Sequence, residues 1–259
     1  MVKALILTGY GINCDYETEF AFKTAGATTE RVHINQLISK EKRLEDYHVL
    51  AIPGGFSFGD DLGSGKVLAN KMKANIHDQI QEFIREEKLI IGICNGFQAL
   101  VRYPLLPEPK EEEQVTLTFN DSGRFEDRWV GLRVNPNSPC VFFKGMESIS
   151  LPVRHGEGKF ITRDNSVMKQ LEKNGQIVAW YSDGNGGRAN GKYPLNPNGS
   201  VNDIAAVCDK TGRIFGLMPH PEAYNHLTNN PRWVREKTEG GLGLKVFRNA
   251  VDYVRENFD

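Results

Sequence analysis

The 259-residue chain has no apolar run near the roughly 18 residues that a membrane span needs. Its opening, "MVKALILTGYG", is too short for the apolar region of a signal peptide and reads as a first strand. Neither sign of charge dominates, with 32 Lys and Arg against 33 Asp and Glu, which argues against the basic footprint of a nucleic-acid binder. Cysteine is scarce. Cys14, Cys94, Cys140 and Cys208 lie far apart, with no C-x-x-C pair and none of the density of a disulfide scaffold. A reducing cytoplasm is the simplest setting for them. Two nucleotide-binding motifs are missing as well. "GYGINC" opens as G-x-G but carries Cys14 where a dinucleotide fingerprint needs its third glycine, and Gly65-Lys66 is followed by Val67 where a P-loop needs Ser or Thr.

What remains is ordinary globular material, 39% hydrophobic and 25% charged. A chain of this length buries about 75% of its unfolded surface without staples. The first hundred residues alternate compact apolar runs with helical patterns. "VKALILTG", "TERVHI", "HVLAIPGG" and "LIIGIC" read as strands. Between them lie "CDYETEFAFKTAGA", whose Phe20, Ala21 and Ala25 suggest a helical face, the charged "SKEKRLEDY", and "GKVLANKMKANIHDQIQEFIREEK" as one long helix. That alternation implies βαβ crossovers and a parallel sheet covered on both faces. After the loop "YPLLPEPKEEEQ" the texture changes. "VTLTFN", "WVGLRVN" and "PCVFF" suggest short antiparallel strands, "SVMKQLEKNG" a helix, and "QIVAWYSD", "NDIAAVCD" and "RIFGLMPHPE" further strands. "LGLKVFRNAVDYVRENF" closes as an amphipathic helix with Leu244, Phe247, Val251 and Val254 on one face. With no repeat and no long linker, residues 1–259 are expected to form one α/β domain: a mainly parallel central sheet, flanking helices and a smaller antiparallel extension.

"LIIGICNGFQAL" then places Cys94 at the carboxyl end of a strand, with a helix starting behind it. Ligands gather at such strand ends in open α/β sheets. A helix N-terminus favours thiolate over thiol. The N–H of Asn95 would face whatever the sulfur attacks, and Gly92 and Gly96 relieve crowding at the turn. Cys94 therefore reads as a nucleophile. Cys14, also between a strand and a helix, suits a structural or edge-of-site role, and Cys140 and Cys208 suit small buried hydrophobes. A thiol nucleophile needs a base, and of six histidines His220 is distinct because it sits in "PHPE" after an apolar strand. If the flanking prolines hold that segment extended, His220 and Glu222 share a side, and the carboxylate orients the imidazole. The Gly-rich "IPGGFSFGDDLGSG" offers donors for an oxyanion at the same sheet edge.

"GICNGFQ" and "MPHPE" resemble the elbow and histidine-glutamate motifs of class I, triad-type glutamine amidotransferases. "GINCDYETEFAFKTAGA", "PGGFSFGDDLGSGKVLANKM", "PVRHGEGKF" and "YPLNPNGS" extend the resemblance over residues 11 to 222, toward the glutaminase subunits of purine biosynthesis. The resemblance implies a flavodoxin-like fold and a thioester formed by Cys94 on the glutamine carboxamide. It implies His220 as proton shuttle and Glu222 as its orienting group. It adds the backbone N–H groups of Gly55 and Asn95 as oxyanion donors, with Gln98, His155 and Gly156 binding glutamine. Ammonia would pass to a synthetase subunit, alone or with a small third subunit, that uses ATP and Mg to convert a formylglycinamide ribonucleotide to its amidine. No metal or cofactor is expected in this chain. Residues 107–114 and 223–243 fall outside the matching motifs. Two other readings are a subunit serving a different synthetase and a noncatalytic regulator on the same fold; the purine-type stretches count against the first, and the complete Cys94, His220 and Glu222 set against the second.

Overall fold

The computed structural model describes residues 1–110, 112–235 and 242–258. Parts of the two segments outside the matching motifs, residue 111 and residues 236–241, therefore lie outside the described residues.

The chain order is β1 (Lys3–Thr8), α1 (Asp15–Thr24), β2 (Thr28–His33), α2 (Ile34–Ile38), β3 (Val49–Ile52), α3 (Lys66–Asn75), α4 (His77–Arg85), β4 (Leu89–Ile93), α5 (Asn95–Arg102), β5 (Val115–Thr118), β6 (Glu126–Val134), β7 (Ser148–His155), β8 (Lys159–Thr162), α6 (Asn165–Lys173), β9 (Ile177–Ser182), β10 (Ile204–Cys208), β11 (Ile214–Leu217) and α7 (Leu244–Phe258). Among the described residues nine strands form one sheet in the order β2-β1-β3-β4-β11-β10-β9-β6-β7. From β2 to β11 every pairing is parallel, and from β11 to β7 every pairing is antiparallel. The expected parallel sheet with an antiparallel extension is thus one continuous sheet. "VTLTFN" supplies β5, which pairs with β8 in a separate two-stranded ribbon.

Strands β3, β4 and β11 are buried along their whole length, as their unbroken apolar runs require. The chain leaves β1 toward β2 on one side, while β3 lies on the other. That reversal opens a crevice at the strands' carboxyl ends, where α/β sheets collect ligands. Helix α5 sits directly on β3, because a β-carbon on Gly96 would run into the Ile52 carbonyl. The face of α7 is as expected, with Leu244, Phe247, Val251 and Val254 buried.

Three expectations change. Phe20 is 56% exposed, and α1 instead buries Thr18, Ala21 and Phe22 at helical spacing. The long helix breaks at Ile76, whose buried side chain accompanies a non-helical φ of −129° and ψ of 20°. "PCVFF" forms a 3-10 turn, not a strand, which stacks Phe142 on Phe215 with centroids 5.3 Å apart. Strands β7 and β8 had no clear signal in the sequence.

Candidate active site

Strand β4 delivers Cys94 to the sheet edge with φ 50° and ψ −104°, a conformation that L-residues avoid outside special sites. The surroundings determine it. The Cys94 N–H donates to the Leu217 carbonyl of β11 at 2.8 Å, while α5 begins at the next residue. The thiol faces the Arg154 carbonyl at 3.6 Å and the residue is 4% exposed.

His220 follows β11 by three residues, and its N–H donates to the Pro152 carbonyl at 2.8 Å. Its Nδ1 lies 2.6 Å from Glu222 Oε1, with both side chains almost fully buried. The segment is not extended as expected. Pro221 starts a 3-10 turn over Pro221–Ala223, which its fixed φ favours, and the turn folds Glu222 back onto the ring. Burial by itself would depress the His220 pKa. The Glu222 carboxylate, with Cys94 and Cys14 beside the ring, outweighs that and holds it well above the ordinary histidine range.

Gly55 adopts φ 146° and bridges Ile12. The hydrogen bonds around this bridge run from Phe56 N–H to the Gly11 carbonyl at 2.8 Å and from Asn13 N–H to the Gly54 carbonyl at 3.3 Å. Gly55 is thus in a non-hydrogen-bonded pair, and its own N–H is not spent on the bridge. A larger residue here would strike the Gly11 carbonyl and the Asn13 amide. The Asn95 side chain ties this loop to the elbow. It accepts from Ser57 N–H at 3.0 Å and donates to Asp60 Oδ1 and Gln98 Oε1, each at 3.0 Å.

A cleft of about 360 Å³ opens beside the thiol, lined in part by Gly55, Phe56, Cys94, Gln98, His155 and Gly156. That volume suits a small ligand. The structure therefore brings five of the eight expected site residues to one cavity, with Asn95, His220 and Glu222 outside its lining. A larger open hollow of about 450 Å³ near Tyr10 and Arg31 includes no thiol. Gln98 lines the cleft, yet its amide is engaged in the protein, accepting from Asn95 and donating to the Glu157 carbonyl at 2.5 Å. His155 is a wall residue. Burial, then the nearby His220, pushes its pKa down to about 3, so the ring stays neutral. Asn120 holds it: Oδ1 sits 3.1 Å from His155 Nδ1 and accepts from Gly158 N–H at 3.0 Å, while Nδ2 donates to the His155 carbonyl at 2.8 Å. Asn120, Ser57 and Asp60 were not legible as site residues, since their contacts span distant segments without any local motif.

Cys14, His220 and Glu222 place potential ligand atoms within 4.8 Å of one another. This donor set could hold a metal ion, but its histidine and carboxylate already pair with each other. Cys140 and Cys208 are buried, and burial raises the Cys140 pKa well above the ordinary thiol value.

Comparison with known proteins agrees with this arrangement. Residues 1–254 match the model of the CobB/CobQ-like glutamine amidotransferase domain. The phosphoribosylformylglycinamidine synthase subunit PurQ of Dehalococcoides mccartyi is 49% identical, with 98% of each chain covered. The PurQ subunit of Methanococcus maripaludis is 47% identical over 97% of each. Among solved structures, PurLQS from Thermotoga maritima aligns with a TM-score of 0.74 and 30% identity, covering 98% of this chain and 99% of that one. The glutaminase domain of Trypanosoma brucei CTPS with bound acivicin, at 14% identity and a TM-score of 0.55, shares the fold. On these similarities the chain belongs to the family of PurQ subunits of phosphoribosylformylglycinamidine synthase, which are glutamine amidotransferases.

Proposed function

We propose that the chain hydrolyses glutamine through a thioester on Cys94 and passes the ammonia to a synthetase partner in purine biosynthesis. The observation that carries this reading is the strained Cys94 elbow in the lining of a cleft, backed by the buried His220–Glu222 pair. His220 takes the thiol proton as sulfur bonds to the carboxamide carbon, and Glu222 stabilises the imidazolium. The N–H groups of Gly55 and Asn95 hold the oxyanion. Collapse breaks the carbon–nitrogen bond, and His220 returns its proton to the departing ammonia. Water then attacks the thioester, giving its proton through His220 to the sulfur and releasing glutamate. Gln98, His155 and Gly156 shape the glutamine subsite.

The partner reading follows the PurL and PurS chains named with PurQ in the Thermotoga assembly. ATP and Mg belong to that synthetase, and no cofactor is assigned to this chain. The four cysteines, all free, suit a reducing cytoplasm; no helix among the described residues is long and apolar enough to cross a membrane.

The test is Cys94→Ala in the complex with its synthetase. Glutamine-dependent synthesis should vanish while ammonia-dependent synthesis persists. Retained glutamine-dependent turnover would remove Cys94 from the mechanism.

A further inference from the structure

The reaction has two halves, and His220 needs a partner in both. Nδ1 is held by Glu222. Nε2 is buried and, among the described residues, makes no hydrogen bond. For acylation the Cys94 thiol, which lies beside the ring, can turn to it. Once Cys94 carries the glutamyl group, its sulfur has no proton to donate and no charge to offer. A buried ring nitrogen then bears its desolvation cost alone and has less to hold it in place.

A second thiol lies beside the His220 ring. The N–H groups of Asn13 and Cys14 both donate to the Gly54 carbonyl, at 3.3 and 3.2 Å, which pins the start of α1 against the Gly-rich loop. A β-carbon on Gly54 would stand 2.8 Å from His220 Cε1, 3.4 Å from Cys14 Sγ and 3.5 Å from Cys94 Cβ. Three side chains thus converge on one α-carbon that carries no side chain. Cys14 Sγ is also within 4.8 Å of both a His220 ring nitrogen and a Glu222 carboxylate oxygen.

We propose that Cys14 is the alternate partner of His220 Nε2 while the Cys94 thioester persists, a positioning residue for the hydrolytic half of the reaction. After His220 has given its proton to ammonia, Nε2 is a bare lone pair, and the Cys14 S–H, which rests on Asn13 Oδ1 at 3.5 Å, can turn and donate to it. A thiol is a weak donor. Weakness suits the task, because the hydrolytic water must displace it to use Nε2 as base. Burial raises the Cys14 pKa, which keeps the group a thiol that can donate and discourages it from competing with Cys94 for glutamine. The proposal rests on the triad reading and adds no covalent step to it.

The experiment compares wild type, Cys14→Ala and Cys14→Ser, each purified in complex with the synthetase, in rapid-quench assays with labelled glutamine. The readouts are the decay rate of the labelled thioester in a chase and kcat/KM for glutamine. Cys14→Ala should slow thioester decay roughly tenfold, within the range that misplacing a catalytic group costs, with kcat/KM within about twofold of wild type. Cys14→Ser, which keeps a donor, should recover most of the decay rate. Unchanged decay in Cys14→Ala overturns the proposal, as does equal slowing in the two variants or a fall in kcat/KM that matches the fall in decay rate. Labelled thioester that still forms in a Cys94→Ala complex would refute the triad itself, and this proposal with it.

Discussion

Asn95 donates to the Asp60 carboxylate at 3.0 Å across 35 residues of sequence, which ties the elbow to the Gly-rich loop. The same side chain accepts from Ser57 N–H, two residues beyond Gly55. The two proposed oxyanion donors are therefore positioned by one amide. Asn95→Ala keeps its own backbone N–H but releases the loop bearing the other. Losing one such donor costs about 10²–10³ in kcat, and a loosened donor should cost less, on the order of 10-fold or more. Steady-state glutaminase kinetics of the complex, with KM changing less than kcat, is the check. Wild-type kcat in Asn95→Ala would uncouple the loop from the oxyanion hole.

Glu222→Gln tests the charge behind His220. In the native protein Glu222 outweighs burial and raises the histidine pKa well above 6.5. A pKa raised on folding contributes its stability in full below the unfolded value and loses it as pH rises through the folded value. The melting-temperature gap between wild type and Glu222→Gln should therefore be widest below about pH 6.5 and shrink at alkaline pH. A gap independent of pH would deny the coupling. In activity, removing the matching charge from a serine-protease triad costs about 10⁴, and a thiol, being the better nucleophile, should suffer a smaller loss.

Reactivity should separate the four thiols. A glutamine-like electrophile must enter the cleft, which Cys94 lines although the residue is buried, whereas Cys14, Cys140 and Cys208 are not in its lining. Peptide mapping after brief labelling near neutral pH should place the adduct on Cys94. Comparable labelling of Cys208 in the folded complex would sink the idea of an activated site thiol.

Asn120→Ala probes the cleft wall. It leaves His155 Nδ1 and Gly158 N–H, both bonded to the lost amide, without that acceptor. A buried group stranded this way costs about 1–3 kcal/mol. The variant should melt several degrees lower, since about 1 kcal/mol shifts Tm by roughly 2–4 °C at this size. Its KM for glutamine should rise, while ammonia-dependent synthesis is spared. An unaltered KM would make the Asn120–His155 contact a matter of stability alone.

The legible parts of the molecule were those with local causes. Cys94 announced itself because a strand, a glycine-flanked turn and a helix follow one another within a dozen residues. The α7 face was readable from its spacing. Strand β7 was obscured by Pro152 and Arg154, and it lies at the sheet edge, where proline is tolerated. The break at Ile76 answers to core packing, which periodicity does not report. Pro221 fits an extended segment or the first position of a tight turn, and only the surrounding fold selects the turn. The Asn95–Asp60 and Asn120–His155 contacts each join segments 35 residues apart and have no sequence signature.

The last prediction concerns control. Ammonia released without an acceptor is lost, so a partnered glutaminase gains by staying slow when alone. The cleft mouth carries aromatic side chains that a lone globular surface has little use for: Phe56, Phe119 and Phe125 are 48%, 70% and 53% exposed. Phe56 and Phe125 also contact each other, with ring centroids 6.2 Å apart. Phe56 adjoins Gly55, and the following residue is held by Asn95. A synthetase surface pressing on Phe56 and Phe125 would thus act directly on the oxyanion loop, a loop adjustment of the kind regulatory complexes use. The purified subunit should release glutamate slowly, and the synthetase with its nucleotide and ribonucleotide substrate should raise the rate by about 10-fold or more, given what one oxyanion donor is worth. Phe125→Ser should blunt that activation more than it alters the basal rate. A subunit that already runs at the full rate of the complex would refute this control and leave the triad assignment standing.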